Sequence, residues 1–175
     1  GLTSQENKLF EIDPYNKDAI DLISLWLAND PKFNEYENYN LNKGLMIAGP
    51  KGTGKTTLTL GLMVFFERYF GRNLSVHSVM DVLDYHALMD HEKIRYLKAG
   101  YKCFDDLGTE PLFVPRWGEF SFMVKLLQQR LFLKQYTFIT TNLDPGALEN
   151  RYGDRFINQL KDLVNWVPLK GPSRR

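Results

Sequence analysis

The sequence predicts an α/β fold in which a mostly parallel, five-stranded sheet is flanked by helices. Three observations carry that expectation. Short apolar runs alternate with stretches whose apolar residues recur at helical spacing, the order that parallel strands and their crossovers require. A glycine-rich stretch, GPKGTGKTT, lies directly between the first apolar run and the helix that follows it. The length of 175 residues, with 43% hydrophobic and 25% charged content, suits one domain with a full core.

Residues 17–29 (KDAIDLISLWLAN) carry the first helical pattern, and the polar, aromatic stretch 30–43 reads as a loop into the first strand at 45–48. A helix over 55–70 is stopped by Gly71. The second strand is 74–78, and helical residues follow from about Met80 to Lys98 with a break near Asp90. A third strand at 101–104 is interrupted by Lys102. Next come a helix over 119–134, with Phe120, Met123, Leu127 and Leu131 on one face, and a fourth strand at 136–141. Pro145 opens a single helix over 146–161, and the fifth strand is 163–169. Residues 1–43 read as an N-terminal segment and helix leading into a core of residues 44–175, one domain overall.

The charge balance narrows the partners. With 22 Lys+Arg against 21 Asp+Glu the net charge is +1, so any nucleic-acid contact has to be a local patch. A single cysteine, Cys103, permits no internal disulfide and suits a reducing cytosol, so a cytoplasmic location is expected. No apolar run approaches the roughly 20 residues of a membrane helix, and no membrane partner is expected. His77, His86 and His91 are not spaced with cysteines or acids as a zinc site requires. The chain opens on Gly1 rather than methionine, as a trimmed or tagged terminus does.

The stretch from Gly49 to Thr56 is the GxxxxGK[ST] pattern, with a strand before it and a helix after it. Chance would place this string in about one chain of this length in two hundred at ordinary residue usage, and the flanking strand and helix make chance a poor account. Gly49, Gly52 and Gly54 can turn successive N–H groups inward to form an anion nest. The helix start adds unpaired N–H groups and a positive dipole end. Residues Gly49, Pro50, Lys51, Gly52, Thr53, Gly54, Lys55, Thr56 and Thr57 form the expected nucleotide cradle, with Lys51 facing solvent and Thr57 on the helix. Lys55 would reach the β- and γ-phosphates, and Thr56 would offer its hydroxyl to Mg²⁺.

YKCFDDLGTEP supplies the acids such a loop needs. Asp105 would hold Mg²⁺, and Asp106 would act as the base that activates the attacking water. An ordinary strand-end turn is the competing reading, since Asp-Asp-x-Gly suits one. Asn142 ends the fourth strand and lies next to the glycine-rich loop if that strand runs between the first and the third. A neutral amide there can bond both the γ-phosphate and the lytic water. In RYGDRF, Arg151 and Arg155 are four apart beside the buried stripe Leu148, Tyr152, Phe156 and Leu160. Arg155, held by a packed helix and facing outward, suits an arginine finger for a neighbour's γ-phosphate; a surface salt bridge to Asp154 or Glu149 is the alternative.

Taken in order, GPKGTGKTT, CFDDLGTEP, FITTNL, RYGDRF and the terminal GPSRR resemble the DnaC/IstB group of AAA+ ATPases, the helicase loaders and transposition helpers. The resemblance runs from about Phe10 to Arg175. It implies a P-loop NTPase of AAA+ type that binds ATP with Mg²⁺, with no helical lid after the fifth strand. It also implies Asn142 as sensor I, Arg155 as the finger, and Arg175 (or Arg174) as a C-terminal arginine near the nucleotide. Single-stranded DNA, head-to-tail self-assembly, and a replicative helicase or transposase as partner follow from the same resemblance. Two departures stand out: the residues before Phe10 are too few for the helicase-binding segment that loaders usually carry, and Asp106 stands where many AAA+ proteins have glutamate. The shorter acid predicts slow turnover, and an isolated domain is expected to be monomeric.

HEKIRYLKAGYK, from His91 to Lys102, mixes Lys93, Arg95, Lys98 and Lys102 with Tyr96 and Tyr101. Cations interleaved with aromatics suit a single-strand surface, and a plain solvated helix face suits the pattern equally well. The rival functions are a small-molecule kinase, for which no basic lid is found, and an adaptor that binds ATP with little hydrolysis.

Overall fold

The computed structural model describes residues 11–111 and 122–173. Its first helix, α1 (Lys17–Leu27), leads through a short 3-10 turn (Pro31–Glu35) to β1 (Gly44–Ala48) and α2 (Lys55–Phe70). There follow β2 (Ser75–Ser78), α3 (Val79–Ala87), α4 (His91–Leu97), β3 (Lys102–Leu107), α5 (Phe122–Phe132) and β4 (Thr137–Thr141). The chain closes with α6 (Pro145–Tyr152), α7 (Asp154–Leu163) and β5 (Val164–Pro168). Residues 119–121 of the expected fourth long helix, Phe120 among them, lie outside the described residues, as do Arg174 and Arg175.

Local chemistry sets most of the boundaries. Ser78 accepts a hydrogen bond from Met80 N, Asp90 from Lys93 N and Asp144 from Ala147 N, which caps α3, α4 and α6. Asp90 is the break expected in the stretch 80–98. Gly71 ends α2 in the left-handed region at φ 57°.

All four strand pairings are parallel, in the order β2-β3-β4-β1-β5. Along each strand, side chains alternate between two apolar clusters. Met46, Phe104 and Ile139 face α3 to α7, whereas Leu45, Ile47, Cys103 and Phe138 face α1 and α2. The sheet is therefore covered on both sides, which is why β1 is buried throughout. Trp26 of α1 packs against Phe138, and its Nε1 donates to Lys43 O at 2.8 Å, so the first helix shares the core of the sheet.

Two expectations need correction. The single helix over 146–161 is two helices, because Gly153 at φ 85° and ψ 155° breaks it between Tyr152 and Asp154. Arg151 and Arg155 consequently do not share one helical face. Lys102 is buried at 4% exposure, with Nζ 3.8 Å from the centre of the Tyr96 ring, so its ammonium turns into the fold and away from a DNA surface. That inward turn also removes the interruption, and β3 runs on through both aspartates.

Candidate active site

The strand order decides where the site lies. β4 is between β1 and β3, so the ends of these three strands stand side by side. Gly49 N donates to Thr141 O at 3.1 Å, which ties the start of the glycine-rich loop to the residue before Asn142.

The loop closes tightly around its own backbone. Gly52 and Gly54 have φ of 85° and 100°, where a side chain would be strained. A Cβ on Gly49 would come within 2.1 Å of Leu169 O, and one on Gly52 within 2.2 Å of Ser173 Oγ. The segment after β5 thus runs along the loop, and Ser173 is the described residue that reaches it. Thr53 is buried, its hydroxyl donating to Pro50 O at 2.9 Å. Lys55 is 6% exposed and donates to Gly49 O at 2.7 Å and Pro50 O at 2.8 Å. Its ammonium therefore lies inside the cradle. Thr56 is exposed at the first turn of α2, as are Lys51 and Thr57.

The acids sit across from this loop on β3, and the pairing of β3 with β4 shifts register between Phe104 and Leu107. The irregularity has a cause in the backbone: Asp106 stands at φ 62°, a left-handed conformation uncommon for a residue with a side chain. Thr140 of β4 holds both acids. Its hydroxyl donates to Asp105 Oδ1 at 2.5 Å and accepts from Asp106 N at 2.8 Å. Asn142 Nδ2 donates to Asp106 Oδ1 at 3.0 Å. Asp106 and Asn142, predicted separately, are thus brought into contact, and the second oxygen of each aspartate makes no hydrogen bond among the described residues. Asn29, Asn38, Met89 and Lys134 also stand at positive φ, and Asp106 is the one of the five that lies in a strand of the sheet; backbone strain of this kind is found at functional positions.

A carboxylate oxygen of Asp105 and the Thr56 hydroxyl are hard oxygen donors, the chemistry that Mg²⁺ takes. The glycine cradle, which a Cβ would fill, likewise fits phosphate oxygens.

The two arginines separate. Arg151 Nη2 donates to Glu110 O, and its buried Nε has no hydrogen-bond partner among the described residues. Arg155 is exposed on the first turn of α7, and its guanidinium has no ion pair among the described residues. Arg175 lies outside the described residues. On α4, Lys93, Arg95 and Tyr96 are exposed, and Lys98, directly after the helix, is half-buried. Lys93 lies 5.6 Å from the Tyr85 ring centre.

Reading the sequence missed three residues at this end: Thr140, Glu110 and Ser173. The first had a partial signal, since Thr140 stands at the end of a strand expected beside β3, but the register shift that brings it to both acids did not show in the sequence. Glu110 and Ser173 meet their partners only through the fold.

The solved structure of the DnaC helicase loader superposes on the chain with a TM-score of 0.70 at 19% identity, covering 94% of this chain and 95% of that one. DnaI gives 0.70 at 24% identity, covering 96% and 88%. The chain therefore shares the fold of these two structures. DnaA bound to AMPPCP and single-stranded DNA shares it more distantly, with a TM-score of 0.62 at 16% identity over 93% of this chain and 49% of that one. No family model matches the chain, and neither does any curated protein. Among the described residues, no helix is long and apolar enough to cross a membrane.

Proposed function

We propose that the chain is an ATP-binding and ATP-hydrolysing AAA+ domain that assembles head to tail on single-stranded DNA and assists the loading of a replicative helicase. The observation that carries the reading is the Asp106–Asn142 contact, 3.0 Å long, at strand ends adjoining the glycine-rich loop. The likeness of fold to the DnaC helicase loader and to DnaA with AMPPCP and single-stranded DNA supports the same direction.

In this reading residues 49–57 cradle the phosphates. Lys55 exchanges its two backbone carbonyls for phosphate oxygens. Thr56 and Asp105 would hold Mg²⁺, which neutralises charge on the β- and γ-phosphates when bound. Asp106 takes the proton of a water as its oxygen bonds to the γ-phosphorus and the bond to the β-phosphate oxygen breaks, leaving ADP and phosphate. Asn142, by donating to one oxygen of Asp106, leaves the other free for that proton and is itself placed near the γ-phosphate. Arg155 of a neighbouring copy steadies the charge that develops. Lys93, Arg95, Tyr96 and Lys98 offer charge and one aromatic ring to single-stranded DNA. Cytoplasmic location and the division at residue 44 belong to the same proposal.

Asp106→Asn is the test. It should leave ATP binding within about threefold and cut turnover at least about a hundredfold, as loss of a general base does. Unchanged turnover would remove Asp106 from the chemistry, and an unaltered chain that binds ATP without measurable turnover would be a nucleotide-binding adaptor.

A further inference from the structure

Five residues after Asp105 stands a carboxylate that the chemistry above does not use. Glu110 is 3% exposed. Its Oε2 accepts from Gly108 N at 2.9 Å, and its Oε1 accepts from the Tyr152 hydroxyl. Its backbone carbonyl takes the Arg151 guanidinium. A buried carboxylate is costly unless its oxygens are bonded, and an apolar side chain would fill the same volume without that cost. The bonds of Glu110 therefore call for a reason other than stability.

Their ends supply one. On one side is the turn that carries Asp106. It contains two positive-φ residues, Asp106 at 62° and Gly108 at 100°, and is tied by Thr109, whose N and Oγ1 both donate to Asp106 O at 3.2 and 2.8 Å. On the other side is Tyr152, the last residue of α6, directly before the break at Gly153. Arg155 follows three residues later on the first turn of α7, exposed. The rest of α7 is fixed by Phe156, Ile157 and Leu160 in the core. Arg155 thus stands between a helix anchored in the core and one jointed place, and Glu110 bridges that joint to the Asp106 turn.

We propose that the Glu110 carboxylate and the Tyr152 hydroxyl are positioning groups that set the placement of Arg155 from the turn carrying the same chain's catalytic acid. The proposal rests on the shared-site reading above. Burial, and then the nearby Glu110 charge, push the Tyr152 hydroxyl well above its ordinary pKa, so it stays a neutral donor to that carboxylate.

Mixed assemblies test it. Arg155→Ala copies keep an intact acid, and Asp106→Asn copies keep an intact finger, so a mixture should regain ATP hydrolysis that neither has alone. Tyr152→Phe placed in the Asp106→Asn chain, which lends the finger, should lower the regained kcat about tenfold with KM for ATP unchanged, since a misplaced charge weakens only the transition state. The same substitution in the Arg155→Ala chain should change it by less than about twofold, because the Gly108 bond to Glu110 remains. Glu110→Gln in the finger-lending chain, which keeps an acceptor of reduced strength, should fall between. Equal losses from both chains, or no loss from the finger-lending chain, would overturn the proposal. If the unmodified pair fails to regain activity, the shared site itself is wrong and the proposal falls with it.

Discussion

Two buried cations at opposite ends of the sheet behave differently. Lys55, near the carboxyl ends of the strands, is 6% exposed and bonded to two carbonyls of its own loop. Arg130, near the amino ends, is 0% exposed. Its Nε donates to Thr137 Oγ1 at 3.0 Å and its Nη1 to Leu97 O at 2.7 Å, while Nη2 reaches Gly100 O at 2.7 Å and Tyr136 O at 2.8 Å. Burial pulls its pKa down to about 10, so it is still charged at neutral pH. Each donor of Arg130 joins a different piece of α4, the β3 entry or β4. The bonds of Lys55 to Gly49 O and Pro50 O stay within its own turn. The lesson is that burial of charge does not by itself mark a site. What separates the two ends, on the function proposed, is that one set of bonds would be exchanged for phosphate oxygens, whereas the other ties separate segments together.

The largest effect expected is at the closed end. Arg130→Met should cost about 3 kcal/mol or more in urea unfolding, because three carbonyls and a hydroxyl lose their donor inside the fold. ATP affinity of the fraction still folded should stay within about twofold. A loss under about 1 kcal/mol would mean that water or a neighbour replaces the guanidinium, and the contrast with Lys55 would dissolve. Lys55→Ala should show the opposite split: ATP binding weaker by about a hundredfold, with stability changed by under about 1 kcal/mol.

Smaller and more pointed is Asp106→Gly. If the φ of 62° is strain retained for chemistry, glycine should abolish hydrolysis and yet raise unfolding stability by about 0.5–1 kcal/mol. A destabilised variant would show that the bonds of the Asp106 carboxylate outweigh its backbone strain.

The smallest effect concerns pH at the edge strand β2. Burial, followed by the charges of Lys102 and Lys93, lowers the His77 pKa. The unfolded chain therefore binds a proton more readily than the folded one, so this group's stability contribution is complete above its unfolded pKa of about 6.5 and is lost as pH falls below it. His77→Gln should flatten the fall in melting temperature between about pH 7 and pH 5 relative to the unaltered chain. Identical slopes in the two proteins would remove His77 from the acid response.

These contrasts also show what was legible beforehand. The glycine-rich loop could be read because phosphate binding needs its donors contiguous in the chain, between a strand and a helix. The place of Asn142 beside the glycine-rich loop was legible only conditionally, through the strand order, and the sheet supplied that condition; its contact with Asp106 emerged from the fold. Arg130 was illegible: at the end of a helical stretch it looks like any solvated cation, and its four acceptors are brought to it by three separate segments. Lys102 misled for the same reason, since a lysine in a strand reads as outward until Tyr96 is seen above it. The break at Gly153 had a signal in Gly153-Asp154, a helix end followed by an acid suited to a helix start. The four-residue stripe from Leu148 to Leu160 continues across it and masked the joint.

The central claim is that hydrolysis needs a residue from a second copy, and steady-state ATP hydrolysis over rising protein concentration, with and without single-stranded DNA, tests it most directly. Specific activity should climb with concentration and with DNA, and Arg155→Ala should flatten both climbs while binding ATP as before. Activity indifferent to concentration, DNA and Arg155 would contradict the account and leave a nucleotide-binding domain that works alone.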